Sequence, residues 1–233
     1  SKLFSGCRML RYIPPIDAPK VTDTSSMFQN CSLLQEVPFF DTSLVKNMSS
    51  MFNGCMLLKE IPEYNTQSVT NMASMFYNCR SITTIPSFDT QEVTNMSSMF
   101  YNCYRLYEVP QLNTQSVTTM ANMFYGCVSL KEVPPFDTPT PMPLSGTARP
   151  QTRDRPMRRI IWANVTTMAS MFYGCYNLKG IPQIDTQNVT AMNSMFQACY
   201  KLQRVPDMNT PNVTTMASMF INCSSLEKAP QLE

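Results

Sequence analysis

The chain contains no histidine among its 233 residues. That removes the usual base of Ser-His-Asp and Cys-His arrangements and the commonest metal ligand. Charge is also scarce. Asp, Glu, Lys and Arg together make up 15% of the residues and the formal net charge is +2, a weak basis for general nucleic-acid binding. No apolar run approaches the roughly 18 residues of a membrane-spanning helix, and no signal peptide is visible. A phosphate-binding glycine loop, a dinucleotide fingerprint and a paired-cysteine zinc motif are all missing. The carboxylates are scattered rather than convergent. These absences argue against an enzyme, a cofactor and a metal centre.

What is present is a period. Nine cysteines stand at Cys7, Cys31, Cys55, Cys79, Cys103, Cys127, Cys175, Cys199 and Cys223, spaced by 24 residues except for one gap of 48. Fixed periods in this range mark solenoids, in which each turn buries its apolar side chains against the turns above and below. In one turn, Met72, Met75, Phe76 and Cys79 fall at i, i+3, i+4 and i+7, the face of a short helix. Thr70 precedes them, where a hydroxyl caps free backbone N–H groups. Ile82, Ile85 and Phe88 follow, ahead of and behind Pro86, and predict a short strand that stops at the proline. The fold class expected is therefore an α/β repeat solenoid with one short strand and one short helix per 24-residue turn. Asp or Asn then recurs with Thr behind it, as in Asp41-Thr42 and Asn65-Thr66, where short polar side chains satisfy turn backbone.

The motif Met-Phe-x-x-Cys-x-x-Leu-x-x-Val/Ile-Pro, followed by Asp-Thr-x-x-Val-Thr-x-Met, resembles the BspA-like leucine-rich-repeat surface proteins over nearly the whole chain. The resemblance implies a leucine-rich-repeat-type solenoid. It also implies a place on an extracellular surface, that of a bacterial cell or a phage virion, and a role in attachment. The expectation is one continuous array over 1–233 of about ten turns, cut from a longer chain at both ends.

Nine cysteines at one position of the turn do not make a disulfide framework. They predict a ladder of buried thiols that act as small hydrophobes. The methionine pairs Met48/Met51, Met96/Met99 and Met120/Met123 predict core filling rather than copper binding. An ice-binding threonine ladder is set aside because Thr70 and its equivalents have a capping role and Lys46 interrupts their row.

The candidate binding residues are tyrosines. Two positions flanking the cysteine carry Tyr77, Tyr101, Tyr104, Tyr125, Tyr173, Tyr176 and Tyr200. Elsewhere the same positions hold Gln29, Asn53, Arg80, Gln197 and Ser224, so both predict exposure. Exposed tyrosine rows suit recognition of a host protein or a glycan, because the rings are rigid and amphipathic. The alternatives are rings that shield the backbone and bind nothing, or a structural spacer whose partners are other subunits of an assembly. Residues 139–164 carry none of the motif and hold a candidate basic patch of Arg149, Arg153, Arg155, Arg158 and Arg159. Three readings stay open there: a basic loop that grips an acidic partner, a degenerate turn spanning one coil, or a turn scrambled by paired frame errors.

Overall fold

The computed structural model describes residues 2–135 and 164–233. Within them the chain winds into nine coils, one per cysteine. Coils pair in parallel, as in the bridges Asp23 to Asn47, Asn47 to Asn71 and Asn71 to Asn95. The core is a single cluster in which the Val, Met, Phe, Cys and Leu positions of successive coils lie on one another.

The expected helix is absent. Among the described residues there is no helix, and pairing between coils is confined to isolated bridges. Residues 72–79 instead form a chain of tight turns. The amides of Met75, Tyr77 and Cys79 donate to the carbonyls three residues earlier, at Met72, Ser74 and Phe76. The amides of Met72, Ser74, Phe76 and Asn78 donate to Asn95, Ser97, Met99 and Tyr101 of the next coil. Ala73 donates its amide to Asn71 Oδ1, so every N–H from 72 to 79 is satisfied.

The physical reason is backbone sign. Ser74 has φ 56° and Asn78 φ 58°, and their equivalents in other coils share this conformation. A helix cannot contain such residues, whereas a turn with positive φ at its third position is type II. A two-turn helix also keeps all its amides to itself and is marginal in isolation. The turn chain gives half of them to the neighbouring coil. The turn chain still buries residues 72, 75, 76 and 79, which is why the helical spacing misleads. The strand expected before the proline likewise reduces to single inter-coil bonds, such as Lys59 N–H to Gln35 and Tyr107 N–H to Thr83, plus the bridge Gly180 to Arg204.

Phenylalanines run through the whole stack. Phe28, Phe52, Phe76, Phe100 and Phe124 stack nearly parallel at 5.5–5.7 Å between ring centroids. The row does not stop at the 48-residue gap. Phe124 stacks on Phe172 at 5.6 Å, Thr119 bridges Thr167, and Cys175 Sγ–H donates to the Phe124 carbonyl at 3.1 Å. The coil opening at Val165 therefore lies directly on the coil opening at Val117, and no turn is stacked between them. The candidate patch of Arg149, Arg153, Arg155, Arg158 and Arg159 lies outside the described residues.

Candidate recognition surface

The cysteine ladder separates the core from the tyrosines. Cys31, Cys55, Cys79, Cys103, Cys127, Cys175 and Cys199 are buried free thiols. Each donates Sγ–H to the phenylalanine carbonyl of the preceding coil, at 3.0–3.1 Å. A small apolar side chain with one weak donor suits a packed interior that still holds a carbonyl lone pair to satisfy. Burial pushes the Cys31 thiol up to about 11, and the neighbouring Cys7 adds to this. Burial also holds Cys79, Cys103, Cys127 and Cys175 well above the ordinary thiol range. Thiols held protonated in this way are poor nucleophiles and poor metal ligands.

The tyrosines divide into two rows with different environments. Tyr77, Tyr101, Tyr125 and Tyr173 stand two residues before the cysteine and form one ladder. Their rings lie 4.4 Å apart and within 8° of parallel. Tyr125 and Tyr173 are 48 residues apart in sequence and adjacent in space. All four are half-buried. Burial raises the Tyr125 phenol to about 12, helped by the phenols of Tyr101 and Tyr173 on either side. Tyr101 is raised for the same reasons, burial first and Tyr77 next. Each inner ring has both faces covered by its neighbours. The row offers a ligand only ring edges and hydroxyls, and its faces are not a stacking platform.

The second row follows the cysteine. Tyr104, Tyr176 and Tyr200 share it with Arg80, whose guanidinium lies 5.4 Å above the Tyr104 ring. Tyr176 and Tyr200 are 45% and 43% exposed, and their rings are tilted by 50° at 5.1 Å. A tilt of that size leaves ring face open to solvent. Beside them, Lys201 Nζ donates to Asn177 Oδ1 at 2.8 Å, and Asn177 Nδ2 donates to the Val128 carbonyl. Between the two rows runs a floor of Asn and Gly at positive φ. At Gly126, φ is +70° and an added Cβ would lie 2.4 Å from Asn102 Oδ1 of the preceding coil.

The threonines differ from expectation. Thr70 caps no helix. Its Oγ1 donates to the Lys46 carbonyl of the preceding coil, and Thr94, Thr118, Thr166, Thr190 and Thr214 continue the pattern at 3.0–3.3 Å. They form an exposed row that joins coils, with Lys46 still standing in it. The Asp/Asn-Thr turns do what the sequence predicts. Asp41, Asn65 and Asp89 accept the amide two residues on, while buried Thr42, Thr66 and Thr90 donate to the next coil's carbonyls. Sequence reasoning passed over Arg105, Asn177 and Lys201 as surface residues. Their signal was the row they share with one another.

Residues 1–108 and 152–231 match the family model described as Mycoplasma protein of unknown function, DUF285, and the chain belongs to that family. No curated protein matches it. Among solved structures, it is similar to the leucine-rich repeat protein of T. pallidum, with a TM-score of 0.51 and 19% identity over 82% of this chain and 72% of that one. It is also similar to a leucine-rich repeat protein from Eubacterium ventriosum, with a TM-score of 0.55 and 19% identity over 91% of this chain and 45% of the other. The chain thus spans less than half the length of the second. At such identity these likenesses show the fold, a leucine-rich-repeat solenoid. The BspA-like resemblance carried by the Met-Phe-x-x-Cys motif holds at that level.

Proposed function

We propose that the array is a non-enzymatic recognition module on an extracellular surface, that of a bacterial cell or a virion. It binds a host protein or glycan through rows of equivalent side chains. The observation that carries this reading is the row after the cysteine, where Tyr176 and Tyr200 keep ring face open beside Asn177 and Lys201, and where half-buried Tyr104 carries Arg80 over its ring. Rigid aromatic side chains are ordered at low entropic cost, and repetition lets several weak contacts add. The seven buried thiols, Cys31 to Cys199, are held protonated and are poor nucleophiles, which favours recognition over thiol chemistry.

A second reading rests on a different observation. The Tyr77–Tyr173 ladder uses its ring faces on itself, as a structural element does. A module built only to space or join subunits would have this ladder and need nothing from the open row. The deciding experiment measures binding of the purified chain to host cells, mucins and a glycan panel. The comparison protein carries Tyr104→Ser, Tyr176→Ser and Tyr200→Ser. Saturable binding lost in the triple variant is the expected result. A folded parent that binds nothing on the panel points to the spacer.

A further inference from the structure

The strip formed by the two positions after each cysteine differs in charge from the rest of the surface. Through nine coils it contains no Asp or Glu. The next strip mixes signs in pairs such as Lys59-Glu60 and Lys131-Glu132. Besides Arg8 in the first coil, three cations, Arg80, Arg105 and Lys201, stand in the acid-free strip beside Tyr104, Tyr176 and Tyr200. All three are exposed, and among the described residues none is paired with a carboxylate. Because Phe124 stacks on Phe172, they belong to five consecutive coils, with no gap in the strip.

We propose that this strip binds an anionic polysaccharide, one bearing carboxylate or sulfate groups at intervals along a linear chain. The proposal rests on the recognition reading above and names its ligand class. Three features select it. Open faces of Tyr176 and Tyr200 suit the apolar face of a sugar ring. Asn177 and Lys201 beside them supply donors for ring hydroxyls and acid groups. The cations are sparse: three over five coils, at about 4.8 Å per coil. A nucleic-acid strand carries a phosphate about every 3.4 Å and needs denser neutralisation, whereas a glycan charged on alternate sugars does not. An acidic protein segment leaves the tyrosine faces without a matching partner surface.

The test is binding of the full chain to hyaluronan and heparin. Neutral dextran, polyglutamate and oligo(dT) serve as competitors of other chemistry. Two double variants accompany it, Arg105→Ser/Lys201→Ser and Tyr176→Ser/Tyr200→Ser. All four positions are exposed, so both variants keep the parent's melting temperature. The expected result is binding to at least one of the two acidic glycans that weakens with salt, spares dextran, and falls about tenfold in each double variant. Equal binding of polyglutamate or oligo(dT), or a tyrosine variant that binds like the parent, overturns the proposal. Binding of neutral glycans or host protein without acidic glycans overturns it too, while leaving the recognition reading intact. A chain that binds none of these probes overturns the proposal, and the host-cell and mucin panel above then decides the recognition reading by itself.

Discussion

The two tyrosine rows differ by three positions in each turn and have opposite environments. Before the cysteine, the rings of Tyr77, Tyr101, Tyr125 and Tyr173 face one another at 4.4 Å. After it, Tyr176 and Tyr200 tilt apart and stay open. The row before the cysteine lies on the run of positive-φ turns that pulls adjacent coils together, with the Asn78 and Tyr77 positions bonded into the next coil or their own turn. The row after it lies where coils are joined by fewer bonds, so its side chains are free to splay. One residue type thus serves cohesion in one row and display in the other. What decides the outcome is the local backbone, not the side chain.

The comparison is broken most severely beneath the first row. Phe100 is fully buried and stacked on both faces. Phe100→Ala should cost about 3–5 kcal/mol, read by urea or thermal unfolding. It should also unstack Tyr101 from its neighbours. The next largest effect is expected between the rows. Gly126→Ala meets both a positive φ and the Asn102 side chain, whereas Gly6→Ala meets only the positive φ, with open space around its Cβ. The first should lose about 2 kcal/mol and the second about 1 kcal/mol. Equal losses would show that the Asn102 contact is unimportant.

Within the rows, Tyr125→Ser should destabilise by about 1–2 kcal/mol, because it removes two stacked contacts. Tyr176→Ser should stay within about 0.5 kcal/mol of the parent. If the two are equally harmful, the rows do not differ as described. Alkaline titration separates them spectroscopically. The fold holds Tyr125 above its ordinary value of 10.0, at about 12, and Cys31 above 9.0, at about 11. Both are raised, so the folded state favours the neutral forms. Their contribution is complete below pH 9, and is lost as pH rises through 9 to 11 for the thiol and 10 to 12 for the phenol. Phenolate absorbance in the Tyr77→Phe/Tyr101→Phe/Tyr125→Phe variant should lose the component that titrates near pH 12, while buried Tyr64, raised further still, keeps its own, and unfolding should begin at higher pH than in the parent.

The solenoid was legible because period is a property of composition in order, and needs no geometry. Buried cysteines, filler methionines and the Asx turns were legible for the same reason. The helix was misread because inward spacing at i, i+3, i+4 and i+7 does not report the sign of φ. The contrary signal was present, however. The residue before the cysteine is Gly or Asn in eight of nine coils, namely Gly6, Asn30, Gly54, Asn78, Asn102, Gly126, Gly174 and Asn222, a series suited to positive φ and poor inside a helix, with Ala198 the exception. The split of the tyrosines into a closed and an open row was not legible, since both positions tolerate Gln, Arg or Ser. The 48-residue gap reads differently once the seam is known. Joining Thr138-Pro139 to Asn164-Val165 reproduces the run Thr210-Pro211-Asn212-Val213, with 24 residues between the joined ends.

The rows run unbroken from the coil of Cys127 to the coil of Cys175. The most direct test is cross-linking of Tyr125→Cys/Tyr173→Cys in a Cys7→Ser background, since Cys7 is the exposed native thiol. Adjacent coils place such Cα atoms about 5 Å apart, within disulfide reach, and a stacked intervening turn would place them about 10 Å apart, beyond it. Mild oxidation should join residues 125 and 173 as readily as it joins 101 and 125 in the control pair Tyr101→Cys/Tyr125→Cys. A control that forms its disulfide while the 125–173 pair stays reduced would contradict it.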